Sequence, residues 1–159
     1  MREKIKLDFS DFQPGFNKTS NFFCNLLSNH YDIEITDDPD FLIYCVFGQD
    51  FFKYQCIRIF YTSENVRPNF NECDYAFSFD YIENNKRNYR LPLYINSCDM
   101  SLLTNPKPDL ETIIRNKTKF CNMVVSLPVK NERIDFFYKL LRYKQVDSGG
   151  RFLNNIKSR

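Results

Sequence analysis

The sequence predicts an α/β fold built on a mostly parallel sheet, and three observations carry that expectation. Short runs rich in β-branched and aromatic residues recur at 4–9, 31–35, 41–47, 56–62, 75–79 and 89–94. One of them, FLIYCVF at 41–47, is apolar without interruption, as a strand buried on both faces is. Between and after these runs lie stretches with helical spacing, so strand and helix alternate along the chain.

In chain order, KIKLDF at 4–9 alternates like a strand, and Pro14-Gly15 then breaks the chain. Thr19 or Ser20 is placed to cap a helix carrying Phe22, Phe23, Leu26 and Leu27, with His30 at its end as a C-terminal cation. YDIEI at 31–35 alternates again and leads into an acidic turn. The runs FLIYCVF and CIRIFYT (56–62) are the expected central strands, followed by YAFSF (75–79) and YRLPLY (89–94). Residues 96–108 lose periodicity and read as a linker, and 109–118 as a short helix. FCNMVVS (120–126) reads as a new leading strand. A helix follows, with Ile134, Phe137, Leu140 and Leu141 on one face, and Asp147 then begins a loop.

Composition sets the bounds. The 159 residues suffice for one domain with a real core, and the hydrophobic share of 43% and charged share of 26% are those of a soluble globular protein. A net charge of +2 without a Lys/Arg block argues against nucleic acid as a partner. There is no leader-like apolar segment and no transmembrane run, so the expected location is cytoplasmic, with peripheral attachment to a membrane left open. Six cysteines are spread singly with no C-x-x-C pair, which predicts reduced and mostly buried thiols.

Ligands of open α/β sheets bind at the carboxyl ends of the strands. That rule directs attention to Ser63-Glu64-Asn65, directly after CIRIFYT, where Arg67 and Pro68 force an irregular loop. A carboxylate there can take a proton from a sugar hydroxyl, although position alone favours a solvated loop glutamate. Asp80, at the end of YAFSF, has the same ambiguity. Asp38-Pro39-Asp40 matches the metal-binding D-x-D pattern superficially, but Asp and Pro between two strands are ordinary turn formers. No metal site is expected. Ser148-Gly149-Gly150 could bring backbone close to a phosphate, and a plain turn is the favoured reading.

The run Ile57-Arg-Ile-Phe-Tyr-Thr-Ser-Glu-Asn-Val-Arg-Pro-Asn-Phe70 resembles the F-Y-T-G-E-N and P-x-F block of the family 10 α-1,3-fucosyltransferases. Cys73 to Asp80 and Arg90 to Tyr94 are similar to that family's D-Y-A-x-x-F-D and R-x-P-L-Y blocks. Further blocks are Leu7 to Phe16, Phe120 to Ser126, Arg133 to Phe137 and Val146 to Asn155. Order and spacing agree, and the likeness covers nearly the whole chain.

The resemblance implies a GT-B glycosyltransferase of two Rossmann-like domains, which moves L-fucose from GDP-fucose to a GlcNAc or glucose hydroxyl of an oligosaccharide acceptor, with inversion. It implies residues 1–105 as the acceptor-side domain, 106–118 as a linker and 119–159 as the start of the GDP-fucose-binding domain, present as a first β-α unit. Glu64 would be the general base and Arg133 a donor-diphosphate contact. Gln13, Asn65 and Asp80 would line the acceptor cleft, and no cofactor would be required beyond the donor substrate. Ser63 replaces the family's usual Gly, and Gln13 stands where many relatives carry Trp. The family's Tyr-Thr-Glu-Lys donor run does not occur in these residues, which makes a truncated, inactive chain the expectation. The alternative is a non-catalytic or vestigial glycan-binding domain without a donor site.

Overall fold

A computed structural model describes residues 2–81, 85–107, 109–128 and 131–156. The chain divides into two compact units, with the boundary between Thr104 and Asn105.

The first unit is a parallel sheet. Its strands are β1 (Glu3–Ser10), β2 (Tyr31–Ile35), β3 (Phe41–Tyr44), β4 (Ile57–Tyr61), β5 (Tyr75–Ser78) and β6 (Asn88–Arg90). They lie in the order β2-β1-β3-β4-β5-β6, and every pair is parallel. The two runs expected at the centre, β3 and β4, are the middle strands. Alternation sorts their side chains onto two faces. Leu7, Phe9, Ile43 and Tyr61 build one core cluster with Phe23, Cys24 and Leu91. Leu42, Tyr44, Phe60 and Ala76 build another with Phe51 and Cys73. That is why FLIYCVF reads as continuously apolar: successive residues enter different cores.

A single polar side chain interrupts this pattern on β1. Asp8 is 1% exposed, and its carboxylate receives Lys18 Nζ at 2.6 Å and the Tyr54 hydroxyl at 2.9 Å. A buried charge is tolerated only when partnered in this way. Burial, together with the hydrogen bond to Asp8 and its negative charge, pushes the Tyr54 hydroxyl up to about 12.

The helix after β1 is α1 (Phe22–Leu27), and its cap differs from the expectation. Asn21, rather than Thr19 or Ser20, accepts the Cys24 amide at 3.0 Å. The amides of Thr19 and Ser20 are bound instead by the Asn17 side chain. The helix stops at Leu27, so His30 sits in the following turn rather than in a last helical turn. Because α1 is short, its face of the sheet keeps an apolar groove of about 670 Å³ lined by residues such as Leu7, Phe22, Leu26, Ile43 and Phe77.

The run 89–94 is only partly a strand. Pro92 has no amide for the ladder, so β6 stops at Arg90 and a helical turn, α2 (Tyr94–Ser97), follows. The stretch read as a linker also holds α3 (Ser101–Thr104), too short to show periodicity.

The second unit contains α4 (Leu110–Asn116), β7 (Cys121–Met123), α5 (Asn131–Tyr143) and β8 (Val146–Ser148). Asp109 caps α4 by accepting the amides of Glu111 and Thr112. The expected loop from Asp147 begins instead within a strand, β8, which runs parallel to β7. The unit is therefore a β-α-β hairpin rather than a lone β-α pair. Its polar sequence hid the strand, since only Val146 and Ser148 turn inward. Asn155 completes the exposed edge of β8. Its side chain accepts the Ser148 amide at 2.8 Å and donates to the Val146 carbonyl at 2.8 Å.

Candidate functional site

In a parallel sheet of order β2-β1-β3, the chain leaves β1 and β3 toward opposite faces, and the crevice between their carboxyl ends is the usual ligand position. Here that crevice is stitched by the chain itself. Asp11, just past β1, has φ 60°. Its carboxylate accepts the amides of Asp50 and Phe51, both at 2.9 Å, at the start of the 3-10 turn Asp50–Lys53. Its carbonyl accepts the Phe47 amide at 3.0 Å. A Cβ on Gly48 would lie within contact of Asp11 Oδ1, at 2.3 Å, so the buckle requires glycine there. Sequence reading missed Asp11. The only signals were an Asp directly after one strand and a Gly directly after the next run.

Further along the same edge lies the loop after β4. Thr62 is buried, and its Oγ accepts the Glu64 amide at 3.0 Å. This turns the chain out of the sheet, and the Val66 amide donates to the Glu64 carbonyl at 2.8 Å to tighten the turn. Glu64 and Asn65 are exposed. Among the described residues the Glu64 carboxylate has no hydrogen-bond or ion-pair partner. Behind the loop is Cys45, at the end of β3. Burial pushes its thiol up, the Val46 amide and Thr62 oppose this, and the negative charges of Glu64 and Asp11 add to it.

Asp80 lies past β5. Its carboxylate is engaged by Arg67 Nε at 2.5 Å, and its backbone is held by Ser78 Oγ and Asn88 Nδ2. Gln13 is exposed in the loop after β1, where its carbonyl accepts the Phe16 amide at 3.2 Å. Glu64, Asn65, Asp80 and Gln13 therefore all follow carboxyl ends of one parallel sheet. Arg133 belongs to the second unit, exposed on the first turn of α5.

The Ser148–Gly150 turn has a packing role. A Cβ at Gly150 would lie 2.0 Å from the Val125 carbonyl oxygen, so glycine admits a backbone contact within the unit. Asp38 and Asp40 are exposed in the turn between β2 and β3. The Asp40 backbone bonds there to Lys6 and Ile57. Among the described residues no group of three or more His, Cys, Asp and Glu side chains is placed to hold a metal ion. No helix among them is long and apolar enough to cross a membrane.

Fold and edge together define an α/β unit with an open carboxylate beyond a central strand. The chain belongs to the α-(1,3)-fucosyltransferase FucT N-terminal domain family, which matches residues 7–97, more than half its length. It is 41% identical over 76 residues to the α-(1,3)-fucosyltransferase FucT of Helicobacter pylori, a match covering 43% of this chain and 16% of that protein. A crystal structure of an α1,3-fucosyltransferase superposes with TM-score 0.70 at 23% identity, over 99% of this chain and 57% of that one. Another, of an α1,3-fucosyltransferase with GDP-fucose, gives 0.69 at 21% identity, over 100% and 56%. The chain thus spans a small part of the curated relative and little more than half of the solved structures. The expected α/β fold, with its mostly parallel sheet, is the one observed.

Proposed function

We propose that these residues form the acceptor side of an α-1,3-fucosyltransferase, with Glu64 as the general base. The observation that carries this reading is the Glu64 carboxylate, exposed and, among the described residues, unpaired beyond a central strand within the family-matched segment. Fucose leaves GDP as the acceptor hydroxyl attacks the opposite face of the anomeric carbon, with inversion. The attacking oxygen must lose its proton on that side, and a free carboxylate can receive it. The buckle at the switch point supports an acceptor role for the first unit. Asp11 puts negative charge where a Rossmann-type nucleotide's pyrophosphate sits, which suits a neutral, hydroxyl-rich ligand better than GDP.

Arg133 fits the donor side in the same reading, as a guanidinium that steadies diphosphate charge while GDP departs. GDP-fucose is the donor, as the name of a solved relative suggests, and a GlcNAc- or glucose-containing glycan is the acceptor. Within the 159 residues the donor meets few groups besides Arg133. One charge-assisted contact contributes about 1.5–3 kcal/mol, whereas millimolar binding requires about 4 kcal/mol. These residues by themselves therefore bind GDP-fucose more weakly than millimolar, and micromolar binding by calorimetry would contradict this. The test of Glu64 uses whichever form of the protein transfers fucose, the 159 residues or a longer product of the same gene. Glu64→Gln lowers turnover by about a hundredfold to ten-thousandfold and leaves donor binding unchanged. Turnover at the unmodified level would remove the role.

A further inference from the structure

We propose that Arg67 and Asp80 are positioning residues: an ion pair that pins the Glu64 loop to the end of β5 and keeps the carboxylate presented. The proposal rests on the reading of Glu64 given above.

The loop from Ser63 to Pro68 has few ties. At its start the Glu64 amide is bound by Thr62, and beyond it Phe70 packs on the core cluster of Leu42 and Phe60. Between these ends, among the described residues, the side-chain link from the loop to another strand is Arg67 Nε to Asp80 Oδ2 at 2.5 Å. The partners are unequal. Arg67 is 79% exposed and Asp80 only 19%.

Asp80 is also a fixed post. Ser78 Oγ bridges its amide to Asn88 Oδ1, and Asn88 Nδ2 donates to its carbonyl. The neighbouring Phe79 carbonyl accepts from Arg90 Nε at 3.1 Å. Pro68 restricts Arg67 to extended backbone, which limits the directions its side chain can take. A flexible arm from the loop thus reaches a rigid carboxylate just past the end of the next strand. With its guanidinium committed to Asp80, Arg67 does not neutralise Glu64 three residues away. Asp80, expected to line an acceptor cleft, is on this account a fastening for the base.

Exposed pairs of this kind shift local equilibria by about two- to fivefold. The test follows amide hydrogen exchange of residues 63–67 in the 159-residue chain. Arg67→Gln and Asp80→Asn each raise exchange at Glu64 and Val66 about two- to fivefold, and the reciprocal exchange of charges, Arg67→Asp with Asp80→Arg, restores protection. High salt raises exchange in the unmodified protein and leaves Arg67→Gln unaffected, since the Debye length falls to about 3 Å at 1 M. Unchanged exchange in both single variants, or no recovery in the reciprocal one, overturns the proposal. In the transferring form, the single variants lower kcat by the same factor, less than Glu64→Gln does, with KM for GDP-fucose unchanged. Altered exchange together with unmodified turnover of Glu64→Gln in the transferring form would uphold the pin and sink the reading of Glu64. Unchanged exchange with turnover lost in Glu64→Gln would do the reverse.

Discussion

Asp11 and Gly48 offer a measurement in which one substitution abolishes the cost of another. In Asp11→Ala the amides of Asp50 and Phe51 lose their carboxylate. Bonds to a charged group are worth about 1.5–3 kcal/mol each. The Asp50 amide is exposed and regains water, so roughly one full bond is lost. Alanine at φ 60° adds about 1–2 kcal/mol of left-handed strain, which Asp and Asn bear better. The total is about 2.5–5 kcal/mol. Asp11→Asn keeps the backbone preference and one acceptor oxygen, and costs about half as much.

Gly48→Ala places a methyl 2.3 Å from Oδ1, the oxygen that serves the Asp50 amide. It displaces that oxygen and costs about 1–3 kcal/mol. With Asp11 already replaced by Ala the obstruction is gone, and Gly48→Ala costs less than about 0.5 kcal/mol. Urea denaturation of the four proteins closes the cycle. An equal cost for Gly48→Ala in both backgrounds would refute the buckle.

Three further outcomes follow from burial and capping. Leu42→Ala, at a fully buried position (0% exposed) between two central neighbours, costs about 2–5 kcal/mol, and Leu26→Ala, at 52% exposure, changes stability by no more than about 0.5 kcal/mol; denaturant midpoints compare them. Burial raises the thiols of Cys24, Cys45, Cys56 and Cys73 above 9.0 and the tyrosines Tyr44, Tyr54 and Tyr61 above 10.0. The folded state then holds protons that the unfolded state has released, so stability falls as pH rises above about 9, and a melting temperature flat from pH 8 to 11 would contradict this. Hydrogen bonds from Thr112 and, to a smaller degree, Glu111 depress the Asp109 carboxyl below 3.8. Its support of α4 is present above the ordinary aspartate range and lost as pH falls through the depressed value. Amide chemical shifts of residues 110–113 should report that loss, and Asp109→Ala should abolish the transition.

The parallel sheet was legible because its signal is redundant. Leu42, Ile43 and Tyr44 each serve a different core from their neighbour, and no helix or exposed strand needs such a run. Position after a strand was enough to single out Glu64, but the role proposed for it rests on the neighbouring blocks, since a loop glutamate has no periodicity to betray it. The elements missed are those fixed by contacts remote in sequence. β8 depends on Asn155 and on pairing with β7, and four-residue helices such as α3 have no repeat to read. Arg67 appeared only as part of an irregular loop, because its partner lies past the end of another strand. Asn21, rather than Thr19 or Ser20, is the cap, while the Thr19 hydroxyl and both amides are held by the Asn17 side chain.

The strand order also bears on how the protein is made. Once β2 has joined β1, every later strand in the first unit adds to one side, β3 then β4, β5 and β6. β3 docks on the free edge of β1 and each later strand on the edge left by the strand synthesised just before it, so none must be threaded between two others. Such a sheet can lengthen in step with translation, where N-terminal segments fold first. Its growing edge is also its vulnerable one, because an unpaired parallel edge invites pairing with other chains. Ribosome-bound chains from which residues 1–90 have emerged should already resist protease across β1 to β4, and those from which only residues 1–50 have emerged should not.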